Sequence, residues 1–262
     1  MRLLLCCALL STLPAGLSAA DWKLVWSDEF NYQGLPDPAK WNYEEGFVRN
    51  HEKQYYTRAR LENARVENGL LVIECRKDHY TPPGHEPVEY TSASLTTQHK
   101  ASWLYGRIEV RAQIPRGRGV WPAIWMLGIN HETHHWPNCG EIDIMEVVGK
   151  QPNLVHGTVH YGIDGIHRSS HDQWKAVEPP DRAFHTYALE WTPERMDFFY
   201  DQHKYHTFPV SQADDQGANP FRKPQYLLLN FALGGEWGGP VDDSVLPQKY
   251  LIKYVRVYQA AP

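Results

Sequence analysis

Cysteine, long apolar runs and basic residues are all scarce in this 262-residue sequence. Two of its four cysteines stand at positions 6 and 7, so the later part of the chain could form at most one disulfide, between Cys75 and Cys139, and the sequence leaves open whether their geometry allows it. The apolar run at residues 3–10 is shorter than the roughly 20 residues that span a bilayer. Asp and Glu (31) outnumber Lys and Arg (26), which gives no electrostatic reason to bind nucleic acid or an anionic membrane.

Residues 1–20 have the composition of a secretory signal peptide. An early arginine precedes the apolar residues 3–10, and Ser18, Ala19 and Ala20 are the small residues that a signal peptidase accepts. Cys6 comes too early to follow a full apolar region, which argues against a lipoprotein signal. We therefore expect a secreted or periplasmic protein. Its mature part, residues 21–262, has 25 basic and 31 acidic residues and is long enough for one all-β catalytic domain.

Residues 21–262 show no low-complexity linker and no internal repeat. Their dominant pattern is alternation with a period of two, interrupted by Gly, Pro, Asn and Asp at turns. One short helical turn is expected near residues 36–41. Many short strands between turns predict an all-β fold, in which two antiparallel sheets pack as a sandwich. The strand candidates are residues 70–73, 106–114, 154–161, 184–191, 195–201, 226–231 and 250–258.

Aromatic residues are abundant, with 10 Trp, 15 Tyr and 8 Phe. Their faces can stack on the apolar faces of sugar rings, although core packing and surface anchoring explain most aromatic residues in a protein of this size. The composition therefore admits a carbohydrate-binding surface without establishing one.

One apolar segment, residues 141–148, carries three carboxylates. In a regular strand Glu141 and Asp143 share a face, whereas Glu146 points the other way. One extra residue around Ile144 and Met145, a β-bulge, would return Glu146 to that face. Carboxylates held close together raise one another's pKa, and glycosidic cleavage needs one ionised and one protonated carboxyl group. The spacing alone leaves both catalysis and a solvated acidic strand face open.

The Glu-Ile-Asp-Ile-Met-Glu sequence at 141–146 resembles the bulged Glu-x-Asp-x-x-Glu signature of glycoside hydrolase family 16, in its laminarinase-like branch. The likeness extends over nearly all of residues 21–262. Other segments similar to landmarks of the family are residues 24–30, 68–74, 105–112, 121–127, 156–161 and 255–258.

This resemblance implies a jelly-roll sandwich of the concanavalin A-like type, with an open substrate cleft across its concave sheet. It implies that Glu141 is the nucleophile that forms a covalent glycosyl-enzyme, and that Glu146 is the general acid and later the base. Asp143 would tune their protonation and hold Glu141 in place. His160 would hydrogen-bond within this group, with a structural strand histidine as the alternative.

The resemblance also assigns substrate-binding side chains. Trp121 and Trp125 would form walls of the glycone-side subsites, with core packing as the alternative for Trp125. Asn50 and Arg76 would bind sugar hydroxyls, which suits the several fixed donors of a guanidinium group. Three further tryptophans near loops would either contact sugar or cover sheet edges: Trp103, Trp136 and Trp237.

Two features bear on metal binding. Members of the family frequently carry a calcium-ligating Asp just before the final Tyr-Val-Arg-Val-Tyr run (residues 254–258 here), where this chain has Lys253, and an ammonium group cannot ligate calcium. Residues 131–135 match the zinc-protease pattern His-Glu-x-x-His, but the Gly, Asn and Pro residues around them argue against the required helix. We therefore expect no metal cofactor and interpret residues 131–135 as a loop at the cleft rim.

The combined expectation is a secreted, monomeric, retaining endo-β-1,3-glucanase that acts on polymeric β-glucan. A mixed-linkage β-1,3-1,4-glucanase is one alternative, although such enzymes more often carry an unbulged Glu-x-Asp-x-Glu signature without an inserted residue such as Met145. A glucan-recognition module on the same sandwich is another, but we expect such binders to have lost one or both of the glutamates present here.

Overall fold

The computed structural model describes residues 22–260, so the predicted signal peptide at 1–20 lies outside the described residues. Most of the described chain is β-strand. The strands are β1 (Trp22–Asp28), β2 (Asn42–Glu44), β3 (Gln54–Tyr56), β4 (Ala64–Glu67), β5 (Leu70–Tyr80), β6 (Val88–Ser92), β7 (Ser94–Thr96), β8 (Gly106–Gln113), β9 (Val120–Gly128), β10 (Glu141–Glu146), β11 (Leu154–Ile163), β12 (Ile166–Lys175), β13 (His185–Trp191), β14 (Arg195–Tyr200), β15 (His203–Pro209), β16 (Gln225–Leu233) and β17 (Gln248–Ala260).

The strands form two sheets. A seven-stranded sheet, here called the cleft sheet, has the order β12-β11-β10-β9-β16-β7-β2. The ten-stranded sheet, here called the outer sheet, has the order β15-β14-β13-β8-β17-β5-β6-β3, with β1 beside β17 and β4 beside β5. All strand pairs in residues 22–260 are antiparallel except β3 with β6. The predicted all-β sandwich is therefore confirmed.

The hydrophobic core lies between the two sheets. On β8, Ile108, Val110 and Ala112 are fully buried, and the residues that alternate with them are only partly buried. This is the expected pattern for a strand with one face towards a core. All nine residues of β16 are buried, because its second face is also covered by other residues. A central strand of the cleft sheet is therefore apolar or hydrogen-bonded on both faces.

All seven predicted strand segments are strands in the structure, several of them longer than predicted. The prediction of a helical turn at residues 36–41 holds only as a hydrogen-bonded turn, in which the Trp41 N–H donates to the Asp37 carbonyl at 2.9 Å. A second turn cannot follow, because β2 begins at Asn42. Within residues 22–260, α1 (Gly235–Gly238) is the only α-helix, and no helix there is long and apolar enough to cross a membrane. Short 3-10 turns occur at Val210–Ala213, Pro220–Arg222 and Asp243–Val245.

The two cysteines of the described chain do not pair. Cys75 lies on β5 in the outer sheet, whereas Cys139 precedes β10 in the cleft sheet, and both are buried free thiols. The disulfide that the cysteine count allowed is therefore absent from the fold.

Candidate active site

Strand β10 presents three carboxylates to one cavity. Its register against β9 skips one residue between Asp143 and Met145, and its register against β11 shifts between Asp143 and Glu146. Ile144 is the residue that the register against β9 skips. It and Met145 are both fully buried in the core. The predicted bulge is therefore present, and it returns Glu146 to the cavity that Glu141 and Asp143 also line.

The outer sheet supports this bulge. Tyr205 on β15 donates a hydrogen bond from its hydroxyl group to the Ile144 carbonyl oxygen at 3.3 Å. Gly157 on β11 leaves space for the phenol ring, because a Cβ at that position would lie 2.6 Å from the Tyr205 hydroxyl oxygen. The orientation of Glu146 therefore depends on a contact between sheets that no local sequence pattern indicates.

The cavity beside the carboxylates has a volume of about 470 Å³. Its lining includes the indole rings of Trp121, Trp125 and Trp136 and a single guanidinium group, that of Arg49. With one cationic group among several carboxyl groups, the lining offers little positive charge to an anionic ligand and suits an uncharged polar one. The carboxylates of the lining are those of Glu44, Glu52, Glu141, Asp143 and Glu146.

Burial raises the pKa of every carboxyl group on β10. Burial, with the nearby charge of Asp143, raises the pKa of Glu141 to about 8. Burial also raises the pKa of Glu146 to about 7, although the hydrogen bond from Trp121 opposes that rise. The pKa of Asp143 lies well above its usual range because of burial and the charge of Glu146. The group therefore retains protons near neutral pH, as a general acid requires.

His160 lies directly against these carboxylates. It is paired with Glu141 across β10 and β11, and its Nε2 is 3.3 Å from Asp143 Oδ2. Its Nδ1 is 2.9 Å from Nε2 of His167 on β12. The ring of Trp136 packs on both histidines, with centroid distances of 6.0 Å to His160 and 4.6 Å to His167. His160 is thus placed within the carboxylate group, while its part in catalysis stays a prediction.

The two tryptophans of β9 have different environments. Trp121 donates a hydrogen bond from its indole N–H to Glu146 Oε1 at 2.8 Å. Trp125 is as deeply buried as Trp121 (7% and 8% exposed), but it donates to Asn230 Oδ1 at 2.7 Å. The guanidinium carbon of Arg49 lies 4.8 Å from the centre of the Trp125 ring. Trp125 therefore lines the cavity as a largely packed side chain, and Trp121 is the tryptophan in direct contact with a catalytic candidate.

A buried hydrogen-bond network fixes the wall around Trp125. Asn230 donates to the Tyr56 hydroxyl oxygen at 2.9 Å, and Tyr56 donates to Glu52 Oε2 at 3.1 Å. Glu52 also accepts hydrogen bonds from Gln54 at 2.6 Å and from Asn50 at 3.3 Å. Asn50 is therefore at the cavity, as predicted. Sequence reasoning missed the other members, because residues 50–54 are all polar and show no alternation that would mark Glu52 and Gln54 as buried.

Arg76 is not at the cavity, contrary to the placement that the resemblance implied. It lies on β5 in the outer sheet and forms ion pairs with Glu74 and, at 4.0 Å, with Asp78. Arg49, which sequence reasoning did not single out, supplies the guanidinium group of the cavity and pairs with Glu44. The error arose because the sheet that β5 joins cannot be read from its own residues.

The remaining tryptophans divide between core and rim. Trp103 is buried and packs on Trp26 at 5.3 Å, so it covers the core. Trp237 packs edge-on against Trp121, at 5.4 Å between ring centroids, and does not itself line the cavity. Trp136 is 49% exposed and lines the cavity. Of these three, Trp136 therefore has the position from which an aromatic ring can reach a sugar in the cavity.

The metal-binding patterns also have defined positions. Residues 131–135 form turns rather than a helix, as predicted, and His131 lines the cavity. Lys253 donates its ammonium group to the Gly69 carbonyl at 3.2 Å, and the absence of a calcium site there stays a prediction. In residues 22–260 one group of three possible ligands occurs, comprising Glu141, Asp143 and His160.

Comparison with known proteins gave four informative matches. Residues 51–255 match the sequence model described as glycosyl hydrolases family 16. A β-glucanase from Rhodothermus marinus is 49% identical over 254 residues, covering 92% of this chain and 86% of that protein. The X-ray structure of the laminarinase from Rhodothermus marinus has a TM-score of 0.82 and 46% identity, covering 93% of this chain and 99% of the other. The structure of SCLam, a non-specific endo-β-1,3(4)-glucanase from family GH16, has a TM-score of 0.85 and 44% identity, covering 93% of each chain.

Proposed function

Because this chain belongs to glycoside hydrolase family 16, we propose that it is a retaining endo-β-1,3-glucanase that cuts internal bonds of β-glucan. One observation carries this proposal: a bulged strand places three carboxylates with raised pKa on one open cavity. A glucan-recognition module would have no use for that costly concentration of buried acidic groups.

Because the pKa of Glu141 (about 8) exceeds that of Glu146 (about 7), the proposed reaction starts from the less populated state in which Glu141 is ionised and Glu146 holds the shared proton. From that state Glu141 attacks the anomeric carbon, and Glu146 transfers its proton to the leaving glycosidic oxygen. This step breaks the glycosidic bond and forms a covalent glycosyl-enzyme. Glu146, now ionised, then removes a proton from water, which attacks the same carbon and releases Glu141. The indole N–H of Trp121 stabilises the ionised form of Glu146 between the two steps. Asp143 holds a proton or a hydrogen bond beside Glu141 throughout.

The cavity and the relatives together support an uncharged β-glucan as substrate. One guanidinium among five carboxylates disfavours a sulfated or acidic sugar. The presence of a β-glucanase and a laminarinase among the relatives supports the proposal that this chain cuts β-1,3 bonds. Because SCLam is a non-specific endo-β-1,3(4)-glucanase, mixed-linkage glucan is the second candidate substrate. Every proposed step uses a carboxyl group, so we propose that hydrolysis requires no metal ion.

We also propose that the protein is secreted after removal of residues 1–20 and acts as a monomer. The leader composition supports the first statement. Amino-terminal sequencing of the exported protein and its elution volume on size-exclusion chromatography test the two statements separately.

The central test compares wild type with Glu141→Ser and Glu146→Ala for release of reducing ends from laminarin and from mixed-linkage glucan. We expect wild type to cut laminarin faster, and each variant to lose at least about a thousandfold in kcat, as removal of a covalent or acid–base group does. Glu86→Ala, at an exposed position, is the matched control and should retain activity. Wild-type protein that binds laminarin but releases no reducing ends from either polymer would establish the recognition module instead.

A second experiment assigns the two glutamates. With an aryl β-laminarioside and sodium azide, a variant without its nucleophile yields the α-glycosyl azide, because azide attacks directly. A variant without its acid/base yields the β-glycosyl azide, because azide attacks the glycosyl-enzyme. We expect the α-product from Glu141→Ala and the β-product from Glu146→Ala. The opposite pair of products would mean that Glu146 is the nucleophile and Glu141 the acid/base.

A further inference from the structure

Glu141, Asp143 and His160 have the spacing of metal ligands. Each offers one ligand atom, and these atoms lie within 4.8 Å of one another. The 3.3 Å between Asp143 Oδ2 and His160 Nε2 matches the separation of about 3.3 Å between two atoms bound tetrahedrally to one zinc ion. Two carboxylates and one imidazole form a mixed O/N ligand set, which suits a divalent ion such as zinc better than calcium or magnesium.

An unpartnered buried oxygen points to the same ligand. Asp143 is only 3% exposed, and although His160 Nε2 lies 3.3 Å from its Oδ2, no donor among the described residues makes a hydrogen bond of normal geometry to that oxygen. A buried acceptor without a donor costs free energy, so such an atom in a native structure needs an explanation. Since Oδ2 faces His160 Nε2, a cation between the two atoms would satisfy both of them.

His167 prepares His160 for metal binding. A histidine that ligates a metal through one ring nitrogen usually donates its other N–H group to an acceptor, which fixes the ring. Here His160 Nδ1 is 2.9 Å from Nε2 of His167, so a proton on Nδ1 leaves the lone pair of Nε2 facing the carboxylates. Trp136 packs on His167 and restricts its movement.

We propose that Glu141, Asp143 and His160 bind one zinc ion, and that the ion inhibits hydrolysis by occupying the carboxylate that attacks the substrate. The three protein ligands leave one coordination position open towards the cleft, where water completes the tetrahedron. The inhibitory part rests on the proposed function, because Glu141 cannot ligate zinc and attack a sugar at the same time. Zinc is therefore a competitor of β-glucan and not a cofactor.

The rival zinc site in this chain is the loop at residues 131–135. Its histidines lie in turns, without the helix that would bring two of them onto one side of an ion. His134 and His135 are exposed, so both can be replaced at little cost to the fold. The double variant His134→Ala/His135→Ala is therefore the matched control.

The test is calorimetric titration of wild type and variants with zinc chloride in a non-chelating buffer. We expect one zinc per wild-type chain and loss of binding in His160→Ala. His167→Ala should weaken binding by about tenfold to a hundredfold, as loss of a group that orients a ligand does. The loop double variant should bind zinc as wild type does, and magnesium should not compete.

Undiminished binding in His160→Ala, or loss of binding in the loop variant, would overturn the assignment. Thermal unfolding checks that each variant is folded. If His160→Ala does not fold, the weaker zinc binding expected of His167→Ala tests the assignment instead.

Kinetics on laminarin then test the inhibition: zinc should raise KM and leave kcat unchanged, and a chelator should reverse the effect. Calorimetry needs no hydrolysis, so wild type that binds zinc but cuts no glucan would refute the proposed function alone.

Discussion

Replacing Glu146 with Gln should stabilise the fold at alkaline pH while abolishing hydrolysis. The amide has nearly the shape of the protonated acid, and its oxygen can still accept the hydrogen bond of Trp121. The substitution therefore removes a buried carboxyl group that must ionise as the pH rises, without removing the contacts that the protonated form makes.

The expected magnitude follows from the pKa of this carboxyl group. Burial raises the pKa of Glu146 from an ordinary value of 4.5 to about 7. Between these values the folded state keeps a proton that the unfolded state has lost, so the free energy of unfolding falls as pH rises. A difference of about 2.5 pKa units corresponds to about 3 kcal/mol. Glu141 and Asp143 share protons with Glu146, so only part of this free energy belongs to Glu146 alone. We therefore expect the free energy of unfolding of the variant to exceed that of wild type by about 2 kcal/mol at pH 8.

Urea unfolding at pH 4.5 and pH 8 measures this effect. The variant and wild type should differ by only about 0.4 kcal/mol at pH 4.5, where Glu146 of wild type is protonated in the folded state and half protonated in the unfolded state. In thermal unfolding at pH 8, the melting temperature of the variant should be higher than that of wild type by about 4–8 °C, given the size of the domain. Glu86→Gln, at an exposed site, controls for the general effect of one fewer charge. An equal stability difference at both pH values would refute the reasoning.

Three further predictions concern the surroundings of the carboxylates. Trp121→Phe removes the hydrogen bond that lowers the pKa of Glu146, so the alkaline limb of the kcat–pH profile on laminarin should move to higher pH. Tyr205→Phe leaves the carbonyl oxygen at the bulge without its donor and should cost about 1–3 kcal/mol in urea unfolding, with a lower kcat. Asn230→Leu leaves the buried indole N–H of Trp125 without an acceptor and removes the donor to the Tyr56 hydroxyl oxygen, which keeps only its own hydrogen bond to Glu52. It should cost about 2 kcal/mol or more by the same assay and raise KM for laminarin.

Each of these predictions has an outcome that contradicts it. An alkaline limb that moves to lower pH in Trp121→Phe would mean that the indole N–H favours the protonated acid. Unchanged kcat in a destabilised Tyr205→Phe would separate the bulge from catalysis. Unchanged stability in Asn230→Leu would show that the buried network contributes nothing to the fold.

The all-β class and the bulged carboxylate strand were predictable because both depend on consecutive residues. Alternation with a period of two determines which residues of β8 face the core. One extra residue in a strand reverses the side of every later side chain, so the spacing of Glu141, Asp143 and Glu146 fixes a shared face once a bulge is assumed. The family resemblance then supplied the chemistry that this spacing leaves open.

Other parts of the site depend on partners distant in sequence. Arg76 lies outside the cavity because β5 pairs with β17 and β6 in the outer sheet, and alternation within β5 is the same in either sheet. Arg49 reaches the cavity from a loop, which has no period to read. Tyr205 contacts the bulge across the core, and His167 meets His160 through the pairing of β11 with β12.

The sequence by itself therefore determined the strand class and the spacing of the three carboxylates, because periodicity and spacing are properties of neighbouring residues. The bulge was a hypothesis from that spacing and from the family resemblance, and the strand register established it. Only the tertiary structure decided which guanidinium group lines the cavity, which hydroxyl group supports the bulge and which histidine orients His160. These contacts depend on the order and register of strands within two sheets, which long-range pairing sets and no short segment encodes.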